Sequence, residues 1–130
     1  MKNIVLILPT YNEKDNIVSL ITAIEGVFAK LKGYQLKILV IDDFSPDNTA
    51  HQVTELTKKF TNIILLQKNK QGLGAAYVFG MNYALGKLKP DILVQMDADW
   101  SHNPLLLPKF IKKFERGADL VIGSRYIQGG

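Results

Sequence analysis

The fold is decided by the stretch 91–104, DILVQMDADWSHNP, in which an apolar run passes abruptly into polar residues. The run is rich in Ile, Leu and Val, as is typical of a strand that is covered on both faces. Asp97 and Asp99 follow it at once, and Pro104, directly behind Asn103, is well placed to start a helix. The stretch therefore predicts a buried strand, a pair of carboxylates at its end, and a helix.

The same alternation of apolar strand and helix recurs along the whole chain. Strand-like runs occupy 3–8, 36–41, 63–67, 91–96 and 119–123. Helical patterns occupy 15–31, 48–60, 74–87 and 104–115. The first helix repeats its apolar side chains at i, i+3 and i+4, at Ile17, Leu20, Ile21, Ile24 and Phe28. This alternation predicts an α/β fold with a mostly parallel sheet and helices on both faces.

Length and composition predict a single globular domain. The chain has 130 residues, of which 47% are hydrophobic and 22% charged, and this balance excludes a disordered chain. No apolar run approaches the roughly 20 residues of a membrane-spanning helix, and the N-terminus lacks the pattern of a signal peptide. The absence of cysteine excludes disulfides and thiolate zinc sites, and it fits a reducing, cytoplasmic compartment.

The charge of the chain is modestly positive, at +4 from 16 Lys and Arg against 12 Asp and Glu. Such an excess favours an anionic ligand or an anionic membrane surface. The lysines are scattered over the predicted helices, which is typical of solvated surfaces. Since the sequence has no basic stripe with interleaved aromatic residues, we do not expect a nucleic acid partner.

Polar residues collect where each predicted strand ends. The segments that follow the five strands read PTYNE, DDFSPDNT, KNKQGLGAA, DADWSHNP and SRYIQGG. Because ligands bind beyond the carboxyl ends of parallel strands, we expect these segments to share one site.

Asp97 and Asp99 have three interpretations. In the first, one of them caps the following helix, although Ser101 and Asn103 are better placed to do so. In the second, they share a proton as an acid–base pair. In the third, they hold Mg²⁺ or Mn²⁺, which favour oxygen ligands and relieve the repulsion between neighbouring carboxylates. Their position at the carboxyl edge of a parallel sheet favours the metal site.

The first two polar segments are typical of a nucleotide site that lacks a glycine turn. PTYNE contains no glycine, but Tyr11 can stack on a base and Glu13 can accept a hydrogen bond from it. Alternatively, Asn12 simply caps the next helix. Asp42 and Asp43 end the second strand. They either stabilise the turn that follows or accept hydrogen bonds from a nucleobase or ribose.

The glycine run after the third strand fails the dinucleotide-binding fingerprint, although it offers Gly72 and Gly74. Tyr77 stands where the third small residue of that fingerprint belongs. The glycines are expected to let helix 74–87 pack closely, or to leave its N-terminal amides facing a phosphate. His102 is expected to form a local hydrogen bond, with metal ligation as the alternative.

Five motifs, in this order along the chain, resemble those of the family 2 glycosyltransferases, and most of all their dolichol-phosphate mannosyltransferase branch. They are ILPTYNEKDNI, VIDDFSPDNT, GLGAAYVFGM, MDADWSHNP and GSRYIQGG. The resemblance covers nearly the whole chain as one domain, 1–130, and implies a GT-A fold. It implies transfer of a sugar, with inversion, from a nucleotide sugar to a polyprenyl or dolichyl phosphate, with Mg²⁺ or Mn²⁺ as cofactor.

The resemblance also implies roles for individual residues. Contacts with the nucleotide sugar are implied for Pro9, Tyr11, Glu13, Ile41, Asp43, Asp97, Ala98, Asp99 and Arg125. Metal ligands are implied at Asp97, Asp99 and Ser101. Catalytic roles are implied for Asp99 and Arg125, the latter on a phosphate near the acceptor.

GDP-mannose is the donor that the resemblance favours, with a UDP-sugar as the alternative. Family members continue beyond the final GG, so we expect the acceptor-side end to be truncated here, and a nucleotide-sugar-binding fragment without turnover is an alternative function. Relatives with lipid acceptors work at the bilayer surface, which implies peripheral contact with the cytoplasmic membrane face. The sequence leaves the oligomeric state open.

Two other classes of protein share some of these features. A bacterial receiver domain also has an Asp pair at a strand end and a later strand-end Asp. Its pair follows the first strand, however, whereas Asp42 and Asp43 follow the second. A phosphatase with an Asp-x-Asp nucleophile would carry that motif on its first strand, whereas Asp97 ends the fourth.

Overall fold

The computed structural model describes residues 1–117, and their strands form one parallel sheet. The strands are β1 (Lys2–Thr10), β2 (Tyr34–Asp42), β3 (Ile63–Gln67) and β4 (Ile92–Gln95). Their order is β3-β2-β1-β4, and each neighbouring pair is parallel. The predicted parallel sheet is confirmed, and its predicted fifth strand, 119–123, lies outside the described residues.

The α-helices are α1 (Lys14–Ala29), α2 (Thr49–Thr57), α3 (Leu73–Tyr83) and α4 (Leu107–Glu115). Each matches a predicted helix, with ends that differ by a few residues. A π-helical turn, Ala84–Leu88, extends α3 and stops shortly before Pro90. A 3-10 turn, Pro104–Leu106, leads into α4, and the Asn103 side chain caps it by accepting from the Leu105 N–H. Within residues 1–117, no helix combines the length and apolar character that crossing a membrane requires.

Both faces of the sheet are covered, as the continuous apolar strands predict. Successive side chains of a strand point to opposite faces. On one face, Leu6 and Ile38 pack with apolar residues of α1, α2 and α4. On the other face, Ile7 and Ile41 pack with Ala76 of α3. The apolar positions predicted for α1 are all buried, at Ile17, Leu20, Ile21, Ile24 and Phe28.

Gly80 is what allows α3 to approach the sheet closely. A Cβ atom at this position would lie 2.8 Å from Ile7 Cγ2 and 3.2 Å from Ile41 Cγ1, so any side chain would displace them. The close packing predicted for the glycine run occurs at Gly80, whereas no atom lies within 4 Å of the Cβ position of Gly72 or Gly74. The close approach brings the start of α3 to the carboxyl edge of the sheet.

Candidate functional site

A cavity of about 270 Å³ opens at the carboxyl edge of the sheet, beside the start of α3. It lies between β1 and β4, where the strand order reverses, which is the usual place for a ligand in an open α/β sheet. Most of the predicted site residues line it, namely Pro9, Tyr11, Glu13, Asp43, Asp97, Ala98 and Asp99. Residues distant in sequence are thus gathered at one edge, as expected.

Two predicted site residues do not line the cavity, and the structure does not describe a third. Ile41 does not line the cavity, because its side chain is fully buried under α3 in the core. Ser101 is exposed and is not among the lining residues. Arg125 lies outside the described residues.

The loops after β1 and β2 form one unit, which we call the paired loops (residues 11–14 and 43–49). Three consecutive backbone N–H groups of the first donate to side chains of the second, Asn12 to Ser45 Oγ (2.9 Å), Glu13 to Thr49 Oγ1 (3.0 Å) and Lys14 to Asp47 Oδ2 (3.1 Å). Asp47 therefore caps α1 from another loop. The alternative that Asn12 caps α1 is wrong, since Asn12 has a φ of 57° and Glu13 is the N-cap residue.

The two aspartates after β2 occupy different environments, one in the turn and one at the cavity. Asp42 is fully buried and accepts from Thr10 Oγ1 (2.7 Å), from the Ser45 N–H (3.0 Å) and from Ser45 Oγ (2.6 Å), so it serves the turn. Asp43 lines the cavity, with Lys68 Nζ 3.0 Å from its Oδ1. That contact is an ion pair without hydrogen-bond geometry, because Oδ1 has no hydrogen-bond partner among the described residues.

The loop after β4 holds its two carboxylates by different donors. Asp97 Oδ1 accepts from the Tyr77 hydroxyl at 2.8 Å, and the Asp97 N–H donates to His102 Nδ1 at 3.2 Å. Asp99 Oδ1 accepts from the Ser101 N–H at 2.9 Å. The local hydrogen bond predicted for His102 is confirmed. Ser101 thus contacts the Asp99 carboxylate through its backbone N–H.

Negative charge dominates the lining of the cavity. Four carboxylates line it, at Glu13, Asp43, Asp97 and Asp99, together with the ammonium-bearing Lys70. Lys70 Nζ lies 3.6 Å from the centre of the Tyr11 ring, in a cation–π contact. A polyanionic ligand would therefore need further positive charge to bind here.

The pKa values of two lining carboxylates are shifted in opposite directions. Burial raises the pKa of Glu13, and the charges of Asp99 and Asp97 raise it further, against a lowering by the hydrogen bond from Asn16. Hydrogen bonds from the Ser101 side chain and N–H lower the pKa of Asp99 by more than burial raises it. Asp99 is therefore ionised and available to a cation at neutral pH.

The carboxylate pair fits a metal that binds together with a phosphate-bearing ligand. Among residues 1–117, no group of three or more His, Cys, Asp or Glu side chains is arranged to hold a metal. Mg²⁺, however, is commonly held by one or two carboxylates, and substrate phosphates and water complete its coordination. Asp97 and Asp99 supply that number of carboxylates at the edge of the cavity.

Sequence reasoning missed Lys70 and Tyr77. Lys70 lies between β3 and the glycine run, and its contact with Tyr11 joins segments that are far apart in the chain. Tyr77 was noticed only as the residue that breaks the dinucleotide fingerprint. Neither contact has a local sequence signal, because the Tyr77 contact depends on how α3 docks on the sheet and the Lys70 contact depends on the path of the loop before α3.

Comparisons with known proteins identify the family of the chain. The sequence matches the model of glycosyl transferase family 2 over residues 5–130. It is 38% identical over 125 residues to the dolichol-phosphate mannosyltransferase of Pyrococcus furiosus, covering 96% of this chain and 34% of that protein. It is 39% identical over 127 residues to the polyprenol monophosphomannose synthase of Mycolicibacterium smegmatis, covering 96% of this chain and 46% of that protein. The chain thus spans less than half the length of these relatives.

Among solved structures, the fold is similar to that of the mannosyltransferase PcManGT from Pyrobaculum calidifontis in complex with GDP-Man and Mn²⁺. The TM-score is 0.59 and the identity 25%, over 76% of this chain and 28% of that one. The predicted GT-A fold is confirmed, because the solved structures similar to this chain are GT-A glycosyltransferases.

Proposed function

Because the chain belongs to glycosyl transferase family 2, we propose that it carries the donor site of an enzyme that transfers a sugar, with inversion, from a nucleotide sugar to a polyprenyl phosphate. GDP-mannose is the favoured donor, and a UDP-sugar is the alternative. Support comes from two relatives named for mannosyl transfer to polyprenols and from a similar structure that holds GDP-Man. With the family established, the receiver-domain and phosphatase alternatives are set aside.

One observation carries the proposal. The cavity gathers Tyr11, Asp43 and the Asp97–Asp99 pair from the ends of three different strands. These groups match the parts of a nucleotide sugar in turn. Tyr11 offers a ring face to the base, Asp43 accepts from the base or ribose, and the carboxylate pair faces the diphosphate through a cation.

Asp97 and Asp99 would hold the Mg²⁺ or Mn²⁺, and the metal would act as a Lewis acid for the departing diphosphate. Lys70 lines the same cavity, and its ammonium can reach the phosphates once it leaves the Tyr11 ring. Arg125, outside the described residues, is proposed to bind a phosphate near the acceptor. The planar guanidinium of arginine suits that role because it can bind phosphate through two parallel hydrogen bonds.

The acceptor explains why the site needs no strong general base. A polyprenyl phosphate is ionised near neutral pH, so its oxygen can attack without losing a proton first. The proposed location is cytoplasmic, with peripheral contact at the cytoplasmic face of the membrane, where such a lipid is presented.

Calorimetric titration tests the donor site. GDP and UDP are titrated into the 130-residue chain with Mn²⁺ or with EDTA, and the titrations are repeated on Asp97→Asn. We expect GDP to bind in the Mn²⁺ titration, to bind at least about 10-fold more weakly with EDTA, and to lose a similar factor in Asp97→Asn. The control is Asp15→Asn, an exposed carboxylate in the first turn of α1.

The two nucleotides separate the possible donors. Preference for UDP would replace GDP-mannose by a UDP-sugar and leave the donor site standing. Absence of binding by both nucleotides, in protein whose thermal unfolding shows a cooperative transition, would contradict the proposal.

A further inference from the structure

Tyr77 has no role in the donor site as described so far, yet it touches that site directly. It lies on the first half of α3, partly buried, and its hydroxyl donates to Asp97 Oδ1 at 2.8 Å. It also occupies the position at which the dinucleotide fingerprint requires a small residue. Its large side chain therefore breaks that fingerprint and places a hydroxyl against Asp97.

Asp97 is restrained from two directions. Tyr77 holds its Oδ1, and His102 Nδ1 accepts from its backbone N–H at 3.2 Å. None of the hydrogen bonds among residues 1–117 involves Asp97 Oδ2, and the residue lines the cavity. The arrangement leaves one carboxylate oxygen for a ligand while the other is fixed by the protein.

A phenol suits this task better than a charged donor would. A phenol ordinarily titrates with a pKa of about 10, so the hydroxyl keeps its proton at neutral pH. A neutral donor orients the carboxylate without cancelling its negative charge, whereas a lysine would form an ion pair and weaken its attraction for a cation. The Tyr77 ring also packs against the apolar cluster between α3 and the sheet, and this packing fixes the position of the hydroxyl.

We propose that Tyr77 is a positioning residue, whose hydroxyl fixes the Asp97 carboxylate so that Oδ2 faces the cation and diphosphate of the donor. The inference rests on the proposed donor site. In physical terms, α3 contributes no carboxylate to the cavity, but it sets the geometry of Asp97, which lies in the loop after β4.

The test compares Tyr77→Phe with Tyr83→Phe. Both tyrosines lie on α3 and both pack against the same core cluster. Among the hydrogen bonds of the described residues, only Tyr77 of these two bonds an aspartate of the site. Binding of Mn²⁺ in the presence of GDP is followed by the loss of the free-ion EPR signal, and binding of GDP alone is followed in EDTA.

For Tyr77→Phe we expect the affinity for Mn²⁺ to fall about 10-fold or more, which is the usual effect of removing a residue that hydrogen-bonds to a metal-binding carboxylate. The metal-free affinity for GDP and the midpoint of thermal unfolding should stay close to those of the parent chain. Tyr83→Phe should change none of the three. In an Asp97→Asn background, Tyr77→Phe should have no further effect on Mn²⁺ binding, because both changes act through one contact.

Failure of the inference and failure of the proposed function give different results. If the parent chain takes up Mn²⁺ with GDP and Tyr77→Phe does so equally well, the positioning role is overturned and the donor site stands. An equal loss in Tyr83→Phe would also overturn it, since the effect would then be one of core packing. If the parent chain takes up neither GDP nor Mn²⁺, the proposed function fails and the inference fails with it.

Discussion

Glu13 shows how a single residue of the site works against the stability of the fold. It lines the cavity and accepts from Asn16 Nδ2 at 3.0 Å. Burial raises its pKa from the ordinary value of 4.5, and the charges of Asp99, Asp47 and Asp97 raise it further. The folded protein therefore binds the Glu13 proton more tightly than the unfolded chain does. The stabilising contribution is full below the ordinary pKa and is lost as the pH rises through the folded-state pKa.

Glu13→Gln should accordingly be more stable than the parent chain at pH 7. The difference should shrink as the pH falls from the raised folded-state pKa towards the ordinary value of 4.5, and it should be lost below that value. Urea unfolding at several pH values measures both. Glu55→Gln is the matched control, since its ion pair with Lys58 is exposed and so contributes little. The sign of this shift would be contradicted if the stability of Glu13→Gln, measured relative to the parent chain, were lower at neutral pH than at acid pH.

The sequence predicted most of the residues at the site, for a physical reason. Tyr11, Asp43 and Asp97 directly follow buried strands, and the ends of parallel strands meet at one edge. Ile41 does not line the cavity, because the alternation of side chains along β2 turns it into the core beneath α3. Lys70 could not be predicted, because its contact with Tyr11 depends on the path of a loop.

At the scale of elements, the docking of α3 depends on Gly80. Its missing Cβ would lie 2.8 Å from a methyl carbon of Ile7, on the central strand β1. We expect Gly80→Ala to destabilise the fold by about 1–2 kcal/mol, because overpacking costs roughly 1–3 kcal/mol and the better helix propensity of alanine returns up to about 1 kcal/mol.

Chemical denaturation measures this effect, and Gly26→Ala is its control. Gly26 lies within α1, and no atom comes within 4 Å of the Cβ that alanine would add. That variant should gain about 0.5–1 kcal/mol from helix propensity alone. Equal stabilisation of both variants would show that α3 is free to shift on the sheet.

The four helices could be predicted from spacing and capping signals, but some of their details could not. The π-helical turn Ala84–Leu88 inserts a wider backbone turn that no side-chain pattern announces. The capping of α1 could not be predicted for a different reason. The N–H groups of Asn12, Glu13 and Lys14 at its start donate to side chains of the loop after β2, which lies more than thirty positions further along the chain.

At the scale of the whole molecule, one surface fits the proposed contact with a membrane. The outer side of the α3 segment exposes Val78, Phe79 and Leu85, with exposed fractions of 53%, 41% and 60%. The exposed Lys87 and Lys89 follow it in the chain. Apolar side chains beside lysines are typical of a surface that contacts anionic lipid.

We predict that the chain co-sediments with vesicles containing anionic lipid, less so with neutral vesicles or at high salt. Phe79→Ser should weaken the partitioning about 10-fold, since burying an aromatic side chain contributes roughly 1.5–3 kcal/mol. Val18→Ser, at an exposed position of α1 on the other side of the sheet, should have little effect. Co-sedimentation that is insensitive to lipid charge and to Phe79 would reject this surface.

The class of fold could be predicted from the alternation of strands and helices, but the strand order could not. Nothing in the apolar run 91–96 indicates that β4 pairs with β1, on the side of it opposite β2. That pairing is a long-range choice, and it places the Asp97 loop beside Pro9 at the cavity. The sequence thus indicates which segments lie at the carboxyl edge of the sheet, and the strand order determines which of those segments are in contact.

The paired loops have a consequence for engineering the protein by recombination. Asn12, Glu13 and Lys14 obtain their hydrogen-bond acceptors from side chains more than thirty positions further along the chain, so neither loop is structurally complete without the other. A chimera that imports the tyrosine-bearing loop of a relative, to alter which base is stacked, would leave those N–H groups without acceptors unless the serine-to-threonine segment 45–49 is imported with it. The two segments, although distant in the gene, form one unit of exchange.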